Sequence, residues 1–210
     1  MKNKWIKMTA AAAAIVGFSA NVQATLISPS SSIIPTPAAP VSPTTDGSST
    51  LIASMSGVIS SATLQGTLSS YVYTDTANSL GGYVFVYVVS NSTGPDGVTA
   101  LGIDGWQTIL TDVGQYGSGV ASSSVQRSLT GNTITFNWQS PATVNPGGTS
   151  DYLVIDTAFR SYQTVSAGLA DGSGTTTTAL GINLPDGGVT VMLLGAALSA
   201  MGLLRRKLIA

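Results

Sequence analysis

Between about Leu51 and Asn183 the chain reads as short stretches in which apolar and polar residues alternate. Period two is the mark of a strand with one buried face. Thr133-Ile134-Thr135-Phe136-Asn137-Trp138 alternates without a break, which sends Ile134, Phe136 and Trp138 to the buried side. Ala62, Leu64, Leu68 and Val72 repeat the pattern with a glycine between them. Gly82 to Ser90 contains Tyr83-Val84-Phe85-Val86-Tyr87-Val88-Val89, apolar on both faces, and predicts a strand in the middle of a sheet. Tyr152-Leu153-Val154-Ile155 predicts another strand, and 160–169 and 175–182 carry weaker alternation. Leu101 to Leu110 changes phase at Gly105, which predicts a bulge.

Turn chemistry separates these stretches. Asp46, Asp96, Asp104, Asp171 and Asp186 each precede a glycine, and most of these pairs, like Asn145-Pro146-Gly147-Gly148, fall between predicted strands. Short strands at this spacing, with no helical period before the C-terminal tail, predict an all-β fold. The expected form is an antiparallel β-sandwich, Ig- or jelly-roll-like, over residues 51–183. Residues 25–50 are rich in Pro, Ser and Thr, as in Ile34-Pro35-Thr36-Pro37, and read as an extended linker. There is no convincing internal repeat.

The two ends follow a different pattern. Residues 1–24 have the parts of a secretory signal peptide: a basic start, the apolar stretch Met8 to Phe18, and the small-residue site Val22-Gln23-Ala24. Signal peptidase is therefore expected to cut between Ala24 and Thr25. In the C-terminal stretch 184–210, Leu184-Pro185-Asp186-Gly187-Gly188 precedes the uncharged run Val189 to Leu204 and then Arg205-Arg206-Lys207. Sixteen helical residues would reach ~24 Å, short of a ~30 Å hydrocarbon core unless the basic side chains snorkel and the bilayer thins. The basic cluster, acting as a stop to transfer, sets the body and Pro185-Asp186 outside. Proline and the two glycines keep the motif extended before the membrane begins.

That order of motif, apolar run and basic end resembles the C-terminal sorting tails read by exosortases, the PEP-CTERM type and specifically its VPDSG-CTERM variant. Pro185, Asp186 and Gly188 match; Leu184 stands for the usual Val and Gly187 for the usual Ser. The resemblance implies processing near the motif after transient anchoring in the inner membrane, and a destination at the cell envelope, outer surface or extracellular matrix of a Gram-negative bacterium. The stretch from Val72 to Asp171 is also similar to the body of secreted proteins with such tails, on Gly82-Tyr83-Val84-Phe85-Val86-Tyr87, Asp104-Gly105-Trp106, Arg127-Ser128 and Pro146-Gly147-Gly148-Thr149-Ser150. It implies a location and a sandwich, not an activity.

Composition narrows the chemistry. The formal charge of −1 conceals an asymmetry. Six of the eight basic residues lie at the ends, and between them only Arg127 and Arg160 face nine aspartates, a net of −7. Such a surface repels phosphate backbones, so no nucleic-acid partner is expected. The chain has no Cys and no His, and the body has no Glu and no Lys. Disulfides, thiolate metal sites, Ser-His and Ser-Lys nucleophiles and Schiff bases are thereby excluded. Asp75 and Asp156 each end a strand-like run (Val72-Tyr73-Thr74-Asp75-Thr76 and Leu153-Val154-Ile155-Asp156-Thr157) in the manner of an aspartic-protease turn, but both lack the glycine that turn requires. Turn capping is the preferred reading, and the protein is expected not to be an enzyme. No Asp-x-Asp cluster supports calcium, so neither metal nor cofactor is expected. Tyr83, Phe85 and Tyr87, with Trp106, are candidates for stacking on sugar rings or else part of the core. The expected role is structural or adhesive, and the alternative is an exopolysaccharide-binding module.

Overall fold

The computed structural model describes residues 25–37, 49–76, 78, 80–107 and 109–183. They form an all-β arrangement of two sheets, with no helix among the described residues, compatible with a β-sandwich. In the larger sheet, β4 (Ser49–Ser60), β5 (Gln65–Asp75) and β6 (Tyr83–Thr93) form a meander. β11 (Tyr152–Thr157) pairs with β6, β8 (Thr111–Tyr116) pairs with β11, and β1 (Thr25–Leu26) pairs with β8, giving the order β1-β8-β11-β6-β5-β4. The two-residue β3 (Thr36–Pro37) adds to β8 in parallel, and every other pairing between these strands is antiparallel. The smaller sheet runs β13 (Gly174–Ile182), β12 (Tyr162–Ala170), β7 (Ala100–Ile103), β10 (Ile134–Asn137), β9 (Ser124–Arg127) and β2 (Ser32–Ile33).

The expected strands form, and burial follows their alternation. Ile134, Phe136 and Trp138 are buried, as are Leu64, Leu68 and Val72. Ala62 is exposed, because it lies in the turn before β5 rather than in the strand. β6 sits inside the sheet with both faces covered: Phe85, Tyr87 and Val89 join the core between the sheets, while Val84 and Val86 join a second apolar cluster on the opposite face.

Two expectations need correction. Gly105 is not a bulge. Its φ of 95° takes the chain out of β7, Trp106 drops into the core edge-on to Phe85 at 5.4 Å, and the chain crosses to β8 in the other sheet. Residues 25–37, read as linker, are part of the body. They pair with β8, then β9, then β8 again, so this segment passes from the larger sheet to the smaller and back. Ile27 is 1% exposed. Two-residue strands are too short to show a period, and most of what holds them is backbone pairing, which composition does not reveal.

Arg127 fixes that segment. Its guanidinium is buried and donates to the carbonyl oxygens of Ile27, Trp106, Gln107, Ile109 and Gly131 and to Thr111 Oγ1, at 2.7–3.1 Å. Planar geometry with five N–H donors suits a convergent ring of carbonyls. At the opposite side of the molecule, β4 and β13 approach so closely that a Cβ on Gly57 would lie 2.4 Å from the Thr178 carbonyl oxygen. Thr177 Oγ1 donates to the Val58 carbonyl across this contact at 2.8 Å. Both open sides between the sheets are thus bridged, which covers strand edges that would otherwise template aggregation.

Candidate functional site: the outer face of the larger sheet

Alternation sends one set of side chains in β5, β6, β11 and β8 to the core and the other set to the outer face. Because Val72, Phe85, Ile155 and Val113 point inward, Tyr73, Val84, Asp156 and Asp112 point outward. The register sets these four in one row: Tyr73 opposite Val84, Val84 opposite Asp156, and Asp156 opposite Asp112. Further along the same face Tyr152 lies opposite Tyr116. Their rings stack at 4.9 Å with planes 11° apart, and Tyr71 and Tyr73 lie 6.3 Å apart on β5. Tyr73, Val84, Val86 and Val154 are buried, with Tyr71 and Tyr116 packed against them and Tyr152 38% exposed.

The electrostatics of this face are unusual. Asp156 is pushed up to about 7, first by burial and then by the charges of Asp112 and Asp75. One of its carboxylate oxygens, Oδ1, is buried without a hydrogen-bond partner. Tyr73 is pushed up to about 12 by burial and by the neighbouring Tyr71 and Tyr152, and Tyr116 is raised further for the same kind of reason. Asp75, paired with Asp156 in the sequence by its similar surroundings, therefore lies near enough for its charge to act on Asp156. Asp112, which no motif pointed to, is the stronger neighbour of Asp156. Among the described residues no three metal-ligating side chains converge to hold an ion.

The other sequence candidates fall elsewhere. Phe85, Tyr87 and Trp106 are each 0% exposed, and Tyr87 Oη donates to the Leu180 carbonyl at 2.7 Å. Tyr83 is half-buried with its ring 6.2 Å from Tyr162. The proposed sugar-stacking strip is therefore core: a strand apolar on both faces does not reveal which face meets solvent, and here the tyrosines of β5, β8 and β11 take the outer one. The turn-capping reading fails for Asp156, which lies inside β11 opposite Asp112 with Oδ1 buried and unpartnered, so it caps no turn through that oxygen. The Asp-Gly turn reading holds for Asp171, which accepts from the backbone N–H and hydroxyl of Ser173 and from Thr63 Oγ1. Ala24, the motif Leu184 to Gly188, and Arg205, Arg206 and Lys207 lie outside the described residues. Thr25 opens β1. Among the described residues no helix is long and apolar enough to cross a membrane.

Comparison of the chain with protein-family models, with curated proteins and with solved structures finds no match.

Proposed function

We propose that this chain is a noncatalytic exported protein of the cell envelope or extracellular matrix of a Gram-negative bacterium, sorted by an exosortase through its C-terminal tail. Its body, read as an antiparallel sandwich of Ig- or jelly-roll-like type, has a structural or adhesive role. The observation that carries this reading is the order Leu184-Pro185-Asp186-Gly187-Gly188, apolar run, Arg205-Arg206-Lys207. It follows the last strand with almost no spacer: β13 ends at Ile182. The absence of His, Cys, Glu and Lys from the body supports a noncatalytic role, since it removes the usual nucleophile–base pairs. Replacing Pro185 and Asp186 by alanine tests the sorting claim in the native host. The expected outcome is a full-length precursor retained in the inner membrane. Unchanged export and an unchanged mature mass would overturn it.

The alternative is a glycan-binding module, and one observation favours it at a different place from the strip the sequence suggested. Tyr116 and Tyr152 form a stacked, partly exposed pair on the outer face, and tyrosine presents a flat apolar body with a polar tip to such ligands. Titration with the cell's own exopolysaccharide is expected to quench tyrosine fluorescence in the wild type and not in Tyr152→Ala. Equal responses in the two proteins would remove this reading.

A further inference from the structure

We propose that the end of the body from which the tail leaves is a membrane-resting surface, which lies on the lipid bilayer while the tail holds the chain there. The proposal rests on the reading of residues 184–210 as a membrane-anchored sorting tail and gives the body a part in it. β13 ends at Ile182 and the uncharged run begins at Val189, so only 183–188 come between them in sequence. The covalent reach from Ile182 to Val189 is at most ~25 Å. The other end of β13, a strand of nine residues, stands ~27 Å away from Ile182. Whatever surrounds Ile182 is therefore the part of the body held nearest the bilayer.

Pairing and packing place its neighbours. Ile182 is the cross-strand partner of Tyr162, and Asn183 N–H donates to the Ser161 carbonyl at 3.3 Å. The Tyr162 ring lies 6.2 Å from that of Tyr83, whose N–H donates to the Phe159 carbonyl at 2.7 Å. Gly105 also sits against this strand end, since a Cβ there would lie 3.8 Å from the Ile182 carbonyl oxygen. From Gly105 the crossover runs to Leu110, just before β8. Trp106 N–H donates to the Asn132 carbonyl, in the turn that carries Leu129. The start of β4, with Leu51 and Ile52, lies at the same end beside the last residues of β5.

Leu51, Ile52, Leu110, Leu129, Phe159 and Tyr162 are all exposed, Leu129 by 82%. The loops at the far end, 61–64, 94–99, 117–123, 138–150 and 171–173, hold none of the exposed large apolar side chains among the described residues. Single exposed apolar residues need no explanation, whereas several gathered at one end mark an interaction surface. Aromatic rings and basic side chains suit the boundary between water and hydrocarbon. Phe159 and Tyr162 supply the rings, and the exposed Arg160 lies between them in the chain with its Nε donating to the Gly81 carbonyl at 3.0 Å. Charge does not draw this end to a bilayer, because Asp75, the last residue of β5, and Asp104, just after β7, stand at it too. The contact is therefore apolar, so zwitterionic lipid is enough and salt has little effect on it.

Spin labels on the full chain, reconstituted in phosphatidylcholine vesicles, test the surface, because a protein without cysteine accepts a label at one chosen place. The labelled variants are Leu129→Cys and Phe159→Cys at the tail end, Ala142→Cys at the far end, and Ala197→Cys within the apolar run. Depth is read as the ratio of collisions with oxygen, which dissolves in lipid, to collisions with a water-soluble nickel chelate. That ratio is expected to be severalfold higher at Leu129 and Phe159 than at Ala142, and equally so in low and high salt. Should Ala197 read as hydrocarbon while Leu129 and Phe159 match Ala142, the resting surface is refuted and the sorting reading stands. Should Ala197 itself read as water, both are refuted. Leu129 is 82% exposed in a turn, so its label alone decides if Phe159→Cys fails to fold.

Discussion

At the scale of single residues, Arg127 and Asp156 show how differently a buried charge is accommodated. Arg127 is 4% exposed and donates six hydrogen bonds, five to backbone carbonyls and one to a hydroxyl. A lysine there carries the same charge on only three donors. Each buried carbonyl left unpaired costs about 1–3 kcal/mol, so Arg127→Lys is expected to destabilise the protein by at least about 3 kcal/mol in urea unfolding. A loss under about 1 kcal/mol would mean that water replaces the guanidinium without cost. Asp156 is raised by burial and by neighbouring carboxylates, and its Oδ1 is buried without a hydrogen-bond partner. The sequence did flag Arg127-Ser128 and Asp156, the first through a resemblance and the second through its strand-then-Asp run. It did not show that Arg127 anchors the N-terminal segment or that Asp112 lies opposite Asp156, because both facts depend on the pairing of strands far apart in the chain.

At the scale of elements, periodicity was informative wherever one face was buried and the strand was long enough to show it. β5, β10, β11, β12 and β13 were legible for that reason, and β6 because it is apolar on both faces. β8 was missed because Thr111 to Tyr116 mixes Asp, Gly and Gln with apolar residues, and the preceding run up to Leu110 looked like one strand bent at Gly105. β1 to β3 were missed because two residues carry no period. Their contribution is still measurable. Ile27→Ala removes a side chain that is 1% exposed, and a loss of about 2–4 kcal/mol is expected. If residues 25–37 were only a tether, the substitution would leave the unfolding midpoint unchanged. The β4–β13 contact gives an independent check of the opposite side. A valine at Gly57 would place its Cβ 2.4 Å from a backbone oxygen, so Gly57→Val should cost about 1–3 kcal/mol through overpacking. Gly174→Val, where a Cβ meets nothing within 4 Å, serves as the control for the same strand pair.

At the scale of the whole molecule, the acidic body has an inverted pH response at one place. Most carboxylates in folded proteins are stabilised by their surroundings, so acid weakens the fold. Asp156 works in the other direction, because its folded-state value of about 7 lies above the unfolded one. The free energy at stake is on the order of 4 kcal/mol as an upper bound, enough to appear in a thermal scan. The melting temperature of the wild type is expected to decline between pH 5 and pH 8 and that of Asp156→Asn to stay nearly level over the same range. A wild-type melting temperature that rises with pH across this window would contradict the assignment.

The two bridged sheets form the body, and the proposed sorting role rests on the sequence of residues 184–207. The central claim is that the tail is a processed sorting signal, and mass spectrometry of the native protein's C-terminus after cell fractionation tests it most directly. The account predicts a mature chain beginning at Thr25 and ending between Leu184 and Gly188, recovered from the outer surface or the matrix. An intact Arg205-Arg206-Lys207 end, found only in the inner membrane, would contradict it.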